Sequence, residues 1–560
     1  MSSTNVTIHD ILATVGATIE TALHHTVPYV EAVPGGPIVV RYIRSSHRDD
    51  PVRTILELAL LVFAIRYFTT SRSSVKKKDF VKLSEREIDD LVDDWEPEPL
   101  VVAVDEKEQW KLDALRTVEG AVASHIKLEG DESTLINAAS LNFLDLGLDK
   151  QMITNSKETI RNTGVGACGP PNFYGNQDIH VKLENDLAKF FGAEGAVLYG
   201  QDFTTAGSVL PSFLKRGDYI VCDSSCNLAI QKALSLTRSN VFWFKHNDYE
   251  DLEKILKDLK KEYFKNEKPI SRKFIITEGL FATVGDSPDL SKLAELKEKY
   301  KFRLFIDETL SAGVLGKTGR GLAEMYNIPR SKIDITICSM ANAFCSSGAF
   351  CVGDSVMTYH QRIGSLAYCF SASLPPYTAR ATSTALDIID QQIDPKTGES
   401  KIVKTLRSKS ALLHKLFTSD KTLAKLVKIT STPESAILHM FIAPELREKL
   451  GLPLAYTGSG SEMELRNRKG VSDKLIDSLN NEEYLLQEII YGAQEHGVVI
   501  ARSTYTWSQE IAPLIPGLKI SVNAGLTDKD VEKVHKVVSK EVVKSLKGLT
   551  AKKLESIVAI

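Results

Sequence analysis

The stretch ICSMANAFCSSGAF, residues 337–350, holds an apolar run, a turn and the start of a second apolar run, with Asn342 in the turn. A lysine at such a turn could condense with a carbonyl to form a Schiff base, whereas an asparagine amide cannot do so at any pH. No neighbour supplies the amine, because no lysine occurs between Lys332 and Lys396. A second stretch, GVGACG from Gly164 to Gly169, fits the dinucleotide pattern G-x-G-x-x-G, which is weak by itself. The SKETIRNT before it reads as helix rather than buried strand, and Pro170-Pro171 stand where a phosphate-binding helix should open. This is therefore an irregular loop whose glycines permit unusual backbone angles or close approach, and a purely structural role explains it as well as a functional one. The seven cysteines (Cys168, Cys222, Cys226, Cys338, Cys345, Cys351, Cys369) form no C-x-x-C pair and have no histidines at zinc spacing. No metal site is expected, and the thiols read as reduced, mostly buried small hydrophobes of a cytosolic chain.

A chain of 560 residues exceeds one compact core, so two or more domains are expected. The net charge of −3 and the lack of a basic block argue against nucleic acid. Ile8, Ile11, Leu12, Val15, Ile19, Ala22 and Leu23 recur at helical spacing around Asp10 and Glu20, which predicts an amphipathic helix within residues 1–50. Such a helix suits a membrane interface or packing on protein equally. TILELALLVFAIRYF, residues 54–68, is the best membrane candidate, although Glu57 and Arg66 interrupt it. As a helix it is about 22 Å long and needs its neighbours to span the ~30 Å hydrocarbon layer, so a transmembrane helix is expected over 51–70, with a buried core helix as the alternative. The basic RSSVKKKD directly C-terminal to it favours a cytosolic location for the rest of the chain.

Residues 71–135, including LSEREIDDLVDDWEPEPL, read as a charged linker with a short acidic helix and a proline-stiffened piece. From 136 to 375 the runs AVLYG, YIVCD, VFWFK, KFIITEG, RLFIDE, DITICSM and GAFCVG alternate with helical patterns. That order implies an α/β domain with a mostly parallel sheet and its functional groups at the strand C-termini. Residues 376–560 read as a smaller α+β domain with a polar surface insertion near 445–485.

Residues 162–203 (NTGVGACGPPNFYGNQDIHVKLENDLAKFFGAEGAVLYGQDF), 278–322 (EGLFATVGDSPDLSKLAELKEKYKFRLFIDETLSAGVLGKTGRGL) and FSASLPP at 370–376 resemble the α-oxoamine synthases. These are pyridoxal-phosphate enzymes of the aspartate-aminotransferase-like fold type I that join an amino acid to an acyl-CoA. DDWEPEPL, AASLNFLDLG and GACGPPNFYG narrow the likeness to the smaller, lysine-less long-chain-base subunits of eukaryotic serine palmitoyltransferase, most like the fungal form. The resemblance implies a carboxylate for the pyridine nitrogen at Asp307. Its remaining requirements are missing: D-E-A-H-S reads DETLS with Leu310 for histidine, DSSCNLAIQKAL at 223–234 has no ring-stacking histidine, and Asn342 stands on the lysine. In PGLKISVNA the substrate-carboxylate arginine is matched to Gly517, with Lys519 not restoring it. Asp307 then reads as a relic bonded to its own loop.

In that family the active site is assembled at a dimer interface. The resemblance thus implies a catalytic second subunit that holds pyridoxal 5′-phosphate covalently and condenses L-serine with palmitoyl-CoA to 3-oxosphinganine, CoA and CO2. Cys168, Phe173, Tyr174 and Asn176 would line the partner's site, or pack at the interface only. The likeness also implies the endoplasmic reticulum membrane, membrane lipid, a small activating subunit and Orm-type regulators. Two other readings stay open: a self-sufficient α-oxoamine synthase, against which the missing lysine speaks, and a membrane anchor or regulatory scaffold that lines no pocket.

Overall fold

The computed structural model describes residues 27–32, 34–49, 51–69, 83–96, 106–263, 271–458 and 473–558. The chain divides into two compact units, Met1–Val102 and Ala103–Ile560. In the first, helices Gly36–Asp49 and Pro51–Thr69 pack on each other. The second helix keeps Leu60, Phe63, Ile65 and Phe68 exposed. Among the described residues no helix is long and apolar enough to cross a membrane, which corrects the transmembrane expectation for 51–70. The physical reason lies in the sequence: Arg53, Glu57 and Arg66 interrupt the 19 residues of the helix. The amphipathic pattern at 8–23 lies outside the described residues. The acidic helix Glu85–Asp93 forms, started by a capping box in which Ser84 N donates to Glu87 Oε2 (2.7 Å) and Glu87 N to Ser84 Oγ (3.3 Å).

The second unit opens with strands β1 (Val118–Glu119), β2 (His125–Leu128) and β3 (Leu135–Asn137). Its central sheet contains β4 (Gly195–Tyr199), β5 (Tyr219–Asp223), β6 (Asn240–Phe244), β7 (Lys273–Glu278), β8 (Arg303–Asp307), β9 (Ile335–Ser339) and β10 (Ala349–Gly353), in the order β4-β10-β9-β8-β7-β5-β6. From β9 to β6 every pairing is parallel, while β10 runs antiparallel to both of its neighbours. Helices on both faces explain why these strands are near-continuous apolar runs rather than alternating ones. Ile275, Leu304 and Ile306 join one buried layer, and Phe274, Ile276 and Phe305 the other, as the two-residue period of a strand requires.

The C-terminal part adds β11 (Val427–Ile429), β12 (Ile437–Ile442), β13 (Val498–Val499), β14 (Ala501–Arg502) and β15 (Gly517–Ser521). β11-β12-β15-β14 form an antiparallel sheet, and β13 joins the first three strands in a sheet ordered β1-β2-β3-β13. Residues 106–135 are accordingly not a linker. Ile126, Leu128 and Leu135 are buried together, Trp110 Nε1 donates to Asn480 Oδ1 (3.1 Å), and Lys111 pairs with Glu483 (3.2 Å). Nor does packing break at 375, because helix Pro376–Gln391 lies against helices Lys150–Thr163 and Asp178–Phe191. The flanks of the expected polar insertion are buried. Arg447 forms an ion pair with Glu482, which also accepts from Tyr456 Oη at 3.0 Å. Residues 459–472 lie outside the described residues.

Candidate active-site cavity

Parallel pairing in register brings the ends of β7, β8 and β9 side by side, so Glu278, Asp307 and Ile337 stand abreast at one edge of the sheet. A cavity of about 640 Å3 opens there. Asp202, Asn227, Glu278, Asp307, Asn342, Glu510 and Lys519 supply its charged and amide groups, and Leu141, Phe203, Leu310, Ile337 and Ile437 part of its apolar wall.

Asp307 is buried and held on both oxygens: Oδ2 accepts from Asn227 Nδ2 (3.1 Å) and Oδ1 from Thr309 N (2.9 Å). Burial raises its pKa above the usual carboxylate range, and these bonds pull against that rise. Glu278 accepts from Asn227 N (2.5 Å) and Ala282 N (3.0 Å); burial, with Asp307 as a like-charged neighbour, pushes it to about 8. Asn342 Nδ2 donates to the Thr309 carbonyl at 3.0 Å, and Leu310 lines the cavity beside it without a polar atom on its side chain. Asn227, in the segment where a ring-stacking histidine is absent, thus bridges both acids.

Opposite the sheet, Lys519 lies on β15, directly across from His439 on β12. It lines the cavity with its amine 5.9 Å from the Tyr505 ring, and burial lowers its pKa while Glu278 and Glu510 counter that. This corrects the matching of Gly517. Gly517 does not line the cavity, and a Cβ there would lie 2.6 Å from the Phe441 ring.

The four loop residues lie elsewhere. Cys168, Phe173, Tyr174 and Asn176 are exposed, Tyr174 completely, and none lines this cavity. The loop is held by Ser373 N donating to Gly169 O (3.0 Å) and Gly175 N donating to Pro170 O (2.9 Å). Gly175 must lack a side chain, since a Cβ there would meet Gly169 O at 1.8 Å. Cys168 and Tyr174 take left-handed backbone angles (φ +61° and +63°), so the loop stores strain while presenting Tyr174 outward. Helix Leu366–Phe370 packs on its Pro171–Phe173 turn and is fixed by Arg362, which donates to Tyr368 Oη (2.8 Å) and pairs with Glu184 (2.8 Å).

Residues 136–538 match the family described as aminotransferase class I and II. Serine palmitoyltransferase 1 of Saccharomyces cerevisiae is 44% identical over 525 residues, covering 91% of this chain and 92% of that protein. This chain belongs to the serine palmitoyltransferase 1 family. Long chain base biosynthesis protein 1c of rice (Oryza sativa subsp. japonica) is 36% identical, covering 90% of this chain and 94% of its own length. Serine palmitoyltransferase 1 of Dictyostelium discoideum is 32% identical, covering 86% and 92%. Among solved structures, a serine palmitoyltransferase with PLP shares the fold at a TM-score of 0.62 and 18% identity, covering 79% of this chain and 97% of that one. The Sphingomonas wittichii serine palmitoyltransferase aligns at 0.61 and 19% identity, covering 78% and 96%.

In this serine palmitoyltransferase 1 family member the cavity's own residues do not fit the phosphorylated cofactor named for the first of those structures. The N-terminus of helix Phe203–Phe213, where an anion would be favoured, is already capped by Asp202, whose Oδ1 accepts from Phe203 N (2.8 Å) and Oδ2 from Ser339 Oγ (3.0 Å). A phosphate brought there meets a carboxylate, with Glu278 and Asp307 in the same cavity. Asp202, Asn227, Glu278 and Tyr505 are not singled out by motif. For the first three the sequence signal is position, at a strand end or helix start facing the sheet's C-terminal edge, whereas Lys519 lies in the middle of β15 and Tyr505 in the loop before it.

Proposed function

We propose that this chain is the non-catalytic but required subunit of serine palmitoyltransferase. The observation that carries this reading is Asn342: in a chain 44% identical to a serine palmitoyltransferase 1, the amide at this position is bonded to Thr309 O and offers no amine. A catalytic second subunit holds pyridoxal 5′-phosphate covalently through its own lysine and condenses L-serine with palmitoyl-CoA, releasing CO2 and CoA and giving 3-oxosphinganine.

The present chain contributes surface rather than chemistry. The strained, anchored loop directs Tyr174 and Phe173 outward, 100% and 61% exposed, where they are available to complete a partner's pocket. Cys168 and Asn176 flank them on the same loop. The exposed apolar side chains of helix Pro51–Thr69 support attachment at the endoplasmic reticulum membrane, with the catalytic region cytosolic. A small activating subunit and Orm-type regulators complete the assembly in this reading.

The deciding experiment measures 3-oxosphinganine formation by this chain alone, by its partner alone and by the two together. Activity only in the mixture is expected. Turnover by either chain alone at the mixed rate would overturn the proposal.

A further inference from the structure

Helix Asp528–Leu546 packs on helices Lys401–Ser419 and Asp473–Glu495, and its buried Val531, Val534, Val538, Val542 and Leu546 mark one face. The opposite face is a row of lysines. Lys529, Lys533, Lys536, Lys540, Lys544 and the C-cap Lys547 recur at intervals of four, three, four, four and three residues. At about 3.6 residues per turn they fall within about 80° of arc and make a straight line about 27 Å long. All six are exposed.

An exposed helix face ordinarily mixes the two signs of charge, so that cations sit beside carboxylates. Helix Tyr249–Tyr263 follows that rule, pairing Lys257 with Glu253 (3.1 Å) and Lys261 with Asp258 (2.8 Å). The lysine row departs from it. Lys544 pairs with Glu541 (3.0 Å) and has Glu495 and Glu488 as acidic neighbours, while Lys540 Nζ lies 3.1 Å from His496 Nε2. Lys529, Lys533, Lys536 and Lys547 have no carboxylate partner among the described residues. The acids at the start of the helix are taken: Asp530 accepts from Thr527 N (2.8 Å), and Asp528 pairs with Lys409. Glu532, beside the row, pairs with none of it. Like charges fixed along one face repel one another, and an anionic surface converts that repulsion into attraction. With a net charge of −3 on the whole chain, the row is a local arrangement and not the mark of a basic protein.

The row is built from lysine alone, with no arginine fork to grip a single phosphate and no aromatic ring to stack a base. A straight, convex ridge meets a plane along its whole length, whereas a nucleic-acid duplex curves away from it. We propose that this face of helix Asp528–Leu546 is an electrostatic docking ridge for an anionic lipid bilayer. Lysines near a negatively charged leaflet each add to the attraction, and the effect decays within a Debye length, so the contact is strong at low salt and weak at high salt. The choice of a bilayer as occupant rests on the membrane attachment proposed for this chain, whereas the position of the ridge does not. Docking through lysines is also independent of the apolar side chains of helix Pro51–Thr69, so the two contributions separate experimentally.

The test is flotation of the full-length chain with vesicles of phosphatidylcholine alone or with about 30% phosphatidylserine. At about 0.05 M salt the chain is expected to bind the anionic vesicles at least about tenfold more tightly, and the difference should vanish at about 0.5 M. Replacing Lys529, Lys533, Lys536 and Lys547 together with glutamine should abolish the preference with an unchanged circular dichroism spectrum, and replacing them with arginine should retain it. Should the glutamine variant misfold, Lys536→Glu serves in its place and should weaken the preference. Leu60→Asp with Phe63→Asp is expected to reduce binding to both vesicle types while leaving the preference intact, so failure of the apolar attachment and failure of the ridge are read separately. Equal binding to the two vesicles, a preference that survives high salt, an unaffected glutamine variant, or tighter binding of a double-stranded RNA probe through the same lysines would each overturn the proposal.

Discussion

Asn342 Nδ2 donates to the Thr309 carbonyl across 3.0 Å, tying the turn after β9 to the turn after β8. Restoring an amine there is not sufficient for cofactor chemistry, because Leu310 and Asp202 remain. Asn342→Lys is therefore expected to show no visible absorbance band with pyridoxal phosphate and no borohydride-fixed lysine adduct. A stable band would refute the claim that the cavity rejects the cofactor.

His246 is clamped between Asp223 (Nδ1 to Oδ1, 2.9 Å) and Asp286 (Nε2 to Oδ2, 3.0 Å). Burial opposes its charge, but the two carboxylates outweigh that and raise its pKa to about 10. Because the folded value exceeds the unfolded one, the stabilisation is fully present below about pH 6.5, declines above it and is gone beyond about pH 10. His246→Gln should cost roughly 2–4 kcal/mol at neutral pH. The gap in melting temperature from the parent chain should narrow steadily as pH rises from 7 to about 10.

Arg447 and Glu482 form a fully buried pair, with Tyr456 as a third member. Removing one charge strands the other, so Glu482→Leu is expected to destabilise by about 3–5 kcal/mol. The double change Arg447→Met with Glu482→Leu should recover most of that loss. Chemical denaturation of the three variants distinguishes a stranded charge from simple loss of packing.

Tyr174 is fully exposed at φ +63°. In the two-chain complex, Tyr174→Ala is expected to lower kcat/KM by about tenfold while the chains still co-purify. Unchanged kinetics with intact assembly would restrict the loop to packing.

Leu60 and Phe63, 59% and 68% exposed, give helix Pro51–Thr69 an apolar surface. Replacing both with aspartate should move the chain from the membrane pellet to the supernatant on fractionation, since each loses about 1.5–3 kcal/mol of apolar transfer free energy. An unchanged pellet fraction would mean that this helix does not carry the attachment.

Much of the sheet was legible because buried parallel strands write themselves as short apolar runs between amphipathic helices, as RLFIDE and DITICSM do. Asp307, Leu310 and Asn342 were legible through the family resemblance, whose motif positions fall just at or after such runs. Lys519 was misjudged for a specific reason: Gly517 and Lys519 project to the same face of β15, and only the Phe441 ring beside Gly517 shows which one meets the cavity. Asp202 gave no motif, since a helix-capping acid looks alike whether it faces solvent or a ligand site. The strands at 118–137 were missed because they are two to four residues long and find their last partner, β13, more than 300 positions away. Residues 51–70 are apolar enough to suggest a span, but Arg53, Glu57 and Arg66 all fall within the 19-residue helix.

The pairing of β3 with β13 has a mechanical consequence. Tension applied along the chain from residues before 103 reaches the Trp110–Asn480 and Lys111–Glu483 contacts before it reaches the central sheet. Behind them the parallel register of Ile136 with Val498 and Asn137 with Val499 shares the load between early and late parts of the sequence. The segment from 106 to 137 therefore acts as a strain relief, and a tug on the N-terminal helices would be absorbed there while the sheet edge holding Glu278 and Asp307 stayed in register.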